Sequence, residues 1–209
     1  DAWNFLSKAG VQAVELGCGG SSACRHLVLD EYLDQPKKIQ ELKDLTAKYN
    51  IEIAALSCHG NAVHPNQDIA KKDNEVYEKT IRLAQQLGVE TVITFSGCPG
   101  DSPKSEYPNW VTCPWPDDFG KILDYQWNEV LIPYWEKAAA YAKNNGINKV
   151  AFEMHPGFCV YNAETMLRLR SAVGDVLGAN LDPSPLWWQG CDISAVIRAL
   201  GAAMYHFHA

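Results

Sequence analysis

Acidic and imidazole side chains recur at matching places along this chain. Glu153 and His155 stand two residues apart, as do His206 and His208, and Asp182 precedes Pro183. Glu15 closes one short apolar run, and His59 and Ser96 lie just past two others. Residues two apart on a strand face the same side, so each pair can point into one space. Taken singly, each has a plainer role. A Glu at a strand end is solvated or caps a helix, a strand His is a satisfied core group, and Asp-Pro initiates a turn. Taken together, Glu153, Asp182 and His208 supply oxygen and imidazole donors from three successive elements. That mixture suits a divalent ion such as Mn2+, Mg2+, Co2+ or Zn2+.

Such residues need elements to position them, and the apolar pattern supplies these. Short apolar runs at residues 11–16, 51–56, 91–95, 149–153, 176–181 and 203–208 predict strands. Helical periodicity between them predicts helices at 2–9, 36–49, 74–87, 124–144, 163–171 and 192–200. Strand–helix alternation implies parallel strands joined by right-handed crossovers. A doubly wound sheet and a TIM barrel both fit this order, and the first strand lacks the GxGxxG turn of a dinucleotide-binding domain. Every predicted strand carries an acid, a His or a Ser at its C-terminal end, the end where parallel barrels build active sites. Six strands are visible where a closed barrel needs eight. The expectation is therefore an α/β (β/α)8 barrel seen without its first and last strands, one domain over residues 1–209, and inactive by itself. Residues 97–120 form a long Pro- and Trp-rich insertion, expected to act as a lid over the strand C-terminal ends.

Composition narrows the function classes. The chain has 209 residues, 47% of them hydrophobic, and a net charge of −7. An acidic protein repels phosphate backbones, so nucleic acid is not the expected partner. No run of about 18 apolar residues is present, so no membrane span is expected. The seven cysteines, Cys18, Cys24, Cys58, Cys98, Cys113, Cys159 and Cys191, are scattered and form no CxxC pair. Reduced thiols in a cytoplasmic protein are the simplest account. The chain shows no leader, although its Asp1-Ala2-Trp3-Asn4 beginning is not a natural start.

Four stretches carry a resemblance. They are Glu153-Met154-His155-Pro156-Gly157-Phe158, Asn180-Leu181-Asp182-Pro183-Ser184, Trp188-Gln189-Gly190-Cys191-Asp192 and Tyr205-His206-Phe207-His208-Ala209. The chain resembles, over nearly its whole length, the xylose-isomerase-like TIM-barrel superfamily, and most closely its sugar phosphate isomerase/epimerase members. The resemblance implies metal ligands at Glu153, Asp182 and His208, with a fourth, a Glu, beyond residue 209. It places Glu15 and His59 on the substrate pocket, with His155 and His206 beside them. One position departs from the pattern: a His commonly follows the strand-six Asp by three residues, and here that residue is Pro185.

The resemblance also implies a reaction. A divalent ion and a carboxylate move a proton next to the carbonyl of an open-chain sugar through an enediolate, with Glu153 as base. Trp110, Trp115 and Trp188 offer aromatic faces to a small-molecule sugar substrate. A related lyase of the inosose dehydratase type uses the same proton abstraction. An endonuclease-IV-like enzyme would need more His ligands and a basic face, and an inactive barrel would keep the fold alone. A homo-oligomer is compatible with the sequence.

Overall fold

A computed structural model describes residues 2–20 and 26–208. Cys24 and Ala209, both noted in the sequence, lie outside them. Six parallel strands form one curled sheet in the order β1 (Ala13–Gly17), β2 (Glu52–Ser57), β3 (Thr91–Thr94), β4 (Lys149–Glu153), β5 (Leu177–Leu181) and β6 (Met204–Phe207). Each strand pairs with the next in sequence, and the helices between them cover the convex face. This is the expected barrel, in the form of a curled half-barrel. Every strand falls within two residues of the position the apolar pattern predicts.

The helices start and stop for local reasons. α3 (Pro36–Tyr49) has Pro36 at its first turn, where no N–H is needed, and ends at Asn50 with φ +52°. α4 (Gln67–Leu87) is capped by the Asn66 side chain, which accepts from the Asp68 N–H, and stops at Gly88 in the left-handed region. It starts seven residues earlier than the periodicity predicts, because its polar first turns bury only Ala70 and Asp73. α7 (Ala163–Val173) opens with a capping box between Asn162 and Thr165. α1 (Ala2–Lys8) and α9 (Ile193–Leu200) follow the predicted pattern. Two short helices, α2 (Leu29–Tyr32) and α8 (Pro183–Trp188), interrupt stretches expected to be loop. The predicted helix at 124–144 is compound: α5 (Asp117–Asp124), a π-helical stretch over Tyr125–Leu131, and α6 (Ile132–Asn144). Among the described residues no helix is long and apolar enough to cross a membrane.

The core has two parts. The larger packs the outer faces of the strands against the helices and includes Leu56, Val92, Phe152, Leu131, Met166 and Leu169, all 0% exposed. The smaller fills the lumen with Ala55, Ile93 and Ala151, against which Tyr205 packs. In register Ala151 lies beside Gly178, where a Cβ would come within 2.4 Å of the Tyr205 ring. Small residues therefore floor the lumen, and one tyrosine fills it.

Two register shifts re-aim lumen side chains. β2 carries one extra residue, Ala54, opposite the Val14–Glu15 step, and β6 carries one extra residue, Tyr205, opposite Ala179–Asn180. Such bulges re-aim neighbouring side chains. Here the second lets the adjacent Tyr205 and His206 both face the lumen.

Trp135 joins α6 to the sheet. It is 2% exposed, its Nε1 donates to the Ser96 carbonyl at 2.8 Å, and its ring meets Tyr77, Tyr134 and Phe152 edge-on. Trp135→Ala should destabilise the protein by about 3–5 kcal/mol, read as a shifted denaturant midpoint, because it leaves a cavity and an unpaired carbonyl.

Candidate metal centre

The row of lumen side chains above the Ala–Gly floor is polar. Glu153 pairs in register with Asn180, and Asn180 with His206. Two residues further on, at the strand ends, stand His155, Asp182 and His208. Glu153, Asp182 and His208 converge because β4, β5 and β6 are parallel neighbours and alternate residues share a face, while His155 lines the cavity beside them.

The distances there fall into two classes. His208 Nδ1 lies 3.5 Å from Glu153 Oε2 and 3.9 Å from Asp182 Oδ2, and donor atoms of the three residues all lie within 4.8 Å of one another. Two ligands of one ion, each bonded at about 2.1 Å, stand roughly 3.0–4.2 Å apart. The separations to His208 are therefore long for hydrogen bonds and right for a shared cation. By contrast, His208 Nε2 stands 2.6 Å from Glu15 Oε2, which is a direct hydrogen bond. His206 Nε2 is 3.5 Å from the same oxygen.

His59 extends from the end of β2 and its Nε2 lies 2.9 Å from Glu153 Oε2. The nitrogen is buried and off the line of a hydrogen bond, so it has no hydrogen-bond partner in the structure. Asn180, 0% exposed, places its Nδ2 3.1 Å and 3.2 Å from the two His208 ring nitrogens.

The charges of these groups are set by one another. Burial works against the charge of Glu15, but hydrogen bonding to His206, His208 and Ser57 outweighs it and holds the carboxyl well below its usual range. The hydrogen bond to Glu15 raises the His208 pKa; burial opposes this, and the charges of Glu15, Glu153 and Asp182 add to it. The nearby thiol of Cys58 is pushed up to about 12, chiefly by burial, and is inert as a nucleophile. All cysteines of the described residues are free.

Asp182 divides its two oxygens. Oδ1 caps α8, accepting from the Ser184 N–H and Oγ, each at 2.8 Å, while Oδ2 faces His208. The turn-initiating role expected for this residue thus occupies one oxygen and leaves the other facing His208.

Two cavities flank the cluster. One of about 310 Å3 is lined by Glu15, Gly17, His26, Ser57, His59, Phe95 and Glu153. Another of about 410 Å3 is lined by His155, Pro156, Ser184, Pro185 and Trp188. A cleft of about 350 Å3 between Lys43, Asn50, Glu52 and Gly88 lies at the opposite end of the strands, away from the carboxylates. The sequence did not point to Asn180, Ser57, Phe95 or His26. Only Asn180 left a signal, as an amide in an otherwise apolar strand, two residues before Asp182.

The insertion leaves β3 at its C-terminal end and is held on that face. The Gly97 carbonyl accepts from the Cys159 N–H at 2.9 Å, and Trp110 Nε1 donates to the Phe158 carbonyl at 2.9 Å. Trp110 also meets Tyr161 edge-on, and Trp115 is 75% exposed. Neither tryptophan is among the residues lining the two cavities beside the cluster, whereas Trp188 lines one of them. Gly20, with φ +98°, packs so closely on the His59 carbonyl that a Cβ there would clash. The glycine turn after β1 thus supports the His59 backbone.

The family profile described as the xylose isomerase-like TIM barrel matches residues 3–209. The chain belongs to this family. It is 42% identical over 210 residues to the uncharacterized protein YfiH of Bacillus subtilis (strain 168), covering 100% of this chain and 67% of that protein. Among solved structures it is similar to the probable 3-DHS dehydratase AsbF, involved in petrobactin synthesis, from Bacillus anthracis. The TM-score is 0.66 at 21% identity, covering 100% of this chain and 66% of AsbF. A D-psicose 3-epimerase from Clostridium cellulolyticum H10, solved with D-tagatose, gives a TM-score of 0.63 at 16% identity, covering 99% and 65%. At these identities the structural matches show the fold. The chain spans about two thirds of the length of these relatives.

Asn61 ties the insertion to the site. Its side chain donates to the Cys98 carbonyl at 2.9 Å and accepts from the Cys98 N–H at 3.1 Å, while its own N–H donates to the buried Asp73 carboxylate at 2.7 Å. Asn61→Ala should cost about 1–3 kcal/mol, since it strands a buried N–H and C=O. Hydrogen exchange should rise at residues 97–110 and leave β4 and β5 unchanged.

Proposed function

We propose that the protein is a divalent-metal-dependent isomerase or epimerase of a small sugar or sugar derivative. The observation that carries this reading is the spacing of Glu153, Asp182 and His208 at the strand C-terminal ends, 3.5 Å and 3.9 Å about one imidazole nitrogen. The donors are two carboxylates and one imidazole, which fits Mn2+, Mg2+, Co2+ or Zn2+. When bound, the ion supplies Lewis-acid polarisation of a substrate carbonyl and stabilises the charge that develops on it.

The protein groups supply the proton chemistry. Glu153 removes the proton from the carbon next to the carbonyl and holds it at a carboxylate oxygen. His59, beside that carboxylate with an unsatisfied Nε2, binds a substrate hydroxyl. Phe95 and Trp188 present ring faces to sugar C–H surfaces from the two flanking cavities. His155 and His206 border the same space. Trp110 and Trp115 act, on this proposal, only through movement of the insertion towards the mouth. The structural relatives named above, a D-psicose 3-epimerase and a probable 3-DHS dehydratase, are consistent with proton abstraction next to a carbonyl. A lyase is therefore the second reading, and the product decides between them: a stereoisomer or ketose for the first, an unsaturated product with loss of water for the second.

The test uses the protein at its full natural length. Metal content after loading with Mn2+, Co2+, Mg2+ or Zn2+ is measured, and turnover is followed on free and phosphorylated ketoses with product identification. One ion per chain and isomerised product are expected. Glu153→Gln should lower kcat by roughly 100- to 10,000-fold, as for loss of a general base, and Asp182→Asn should weaken metal binding. A wild-type protein that takes up no divalent ion, or Glu153→Gln turning over at the wild-type rate, would overturn the proposal.

A further inference from the structure

His208 belongs to two triads of candidate ligands, Glu153–Asp182–His208 and Glu15–His206–His208. One imidazole cannot serve both in its ordinary state. A neutral ring offers one lone pair, and its other nitrogen carries a proton. The spacing separates the two triads. Glu15 Oε2 and His208 Nε2 are 2.6 Å apart, closer than the roughly 3.0 Å that two ligands of one ion need. The same spacing is that of a short, charge-assisted hydrogen bond. The opposite nitrogen, Nδ1, faces Glu153 and Asp182 at ion-sharing distances.

We propose that Glu15 is a positioning residue for His208: it accepts the Nε2–H and thereby fixes Nδ1 as the nitrogen offered to an ion held with Glu153 and Asp182. This rests on the proposed metal site. The structure supports it in a second way, because Glu15 is itself held. The extra residue in β2 sets Glu15 in register beside Ala55 and Gly17 beside Ser57, so the Glu15 carboxylate reaches across the lumen from β1 to β6. Its side chain is 22% exposed, and that of His208 is 27% exposed. A carboxylate behind a metal-binding imidazole fixes the ring's tautomer and orientation and raises its basicity. Losing one typically weakens metal binding about 10- to 100-fold. His206 Nε2, at 3.5 Å, stands at the limit of hydrogen-bond range from the same oxygen and steadies the carboxylate more weakly.

The experiment measures Mn2+ and Co2+ dissociation constants, stoichiometry and the visible spectrum of the Co2+ form. It uses full-length wild type, Glu15→Ala, Glu15→Gln, His206→Ala and Asp182→Asn. Circular dichroism of the metal-free proteins checks folding. Glu15→Ala should bind one ion per chain with affinity lowered about 10- to 100-fold and with an altered Co2+ spectrum. Glu15→Gln keeps an acceptor oxygen without the charge, and should lose less. It decides the matter alone if Glu15→Ala does not fold. His206→Ala, which removes only the weaker contact to Glu15, should bind one ion per chain with a smaller loss of affinity than Glu15→Ala. Wild-type affinity and spectrum in the folded Glu15 variants would overturn the inference. So would two ions in wild type, with one lost on either Glu15→Ala or His206→Ala, since Glu15 would then be a ligand. If Asp182→Asn loses the ion while the Glu15 variants keep it, only this inference fails. A wild type that binds no ion overturns it together with the proposed function.

Discussion

The imidazole of His208 stands between Glu15 on one side and Glu153 and Asp182 on the other, so three carboxylates share one ring. At about 4 Å two like charges repel by roughly 4 kcal/mol in a protein-like dielectric. None of the three is freely solvated; their side chains are 12–23% exposed. An isolated chain segment would relieve that repulsion by moving. The barrel prevents it, because each carboxylate is fixed to a different strand whose outer face is locked in the main core. The fold therefore imposes a convergence of negative charge, and the partners that offset it are His208 and whatever cation the cluster admits.

The loops on this face are held by buried polar contacts, each of which spans elements. Ser96 accepts the Val160 N–H at 2.9 Å through its hydroxyl, while its carbonyl receives Trp135 Nε1. Gln126, 1% exposed, donates to the carbonyls of Asn109 at 2.6 Å and Gly100 at 3.1 Å. Gln126 lies in the π-helical stretch, where a widened turn changes the direction of the side chains that follow. The insertion is thus clamped from below by Gln126 and at its start by Asn61 and Ser96, while Tyr107 and Trp115 project into solvent.

What the sequence could show follows from what each feature depends on. Strands buried on both faces are read from continuous apolar runs, and α3 from a Pro at its start and a clean periodicity. The barrel ends of β4, β5 and β6 were legible because Glu153, Asp182 and His208 each end or follow an apolar run, although Glu153 stands one lumen row below the other two. Helices α2 and α8, of four and six residues, repeat no apolar spacing and were read as loop. The long helix was legible from Asp124 to Asn144, but neither α5 before it, which begins at Asp117 inside the stretch expected to be insertion, nor its π turn was, since widening one turn needs no residue of special type. The register shifts at Ala54 and Tyr205 left no mark either. They determine that Glu15 meets His208, a contact between residues 193 apart in the chain. Asn180 was passed over because one amide among apolar neighbours carries no periodic signal.

Pro185 shows how a local rule and a site constraint meet. α8 begins at Pro183, so Pro185 still lies in its first turn, where an N–H has no partner within the helix. Proline there costs no helical hydrogen bond, and the cap from Asp182 is kept. The price falls on the cavity instead. With Pro156 and Trp188, Pro185 makes the wall beside Asp182 largely apolar, relieved by Ser184 and by His155. His155 Nδ1 is already 2.7 Å from the Pro156 carbonyl, which leaves its Nε2 as the ring's open nitrogen. A charged group placed against these prolines and the indole would lose its hydration and gain no charged partner from them. A face of C–H groups would lose little water and gain contact with the indole ring. Pro185, where the resemblance implies a histidine, therefore bears on which chemical face this wall can favour, while Glu153, Asp182 and His208 keep their spacing.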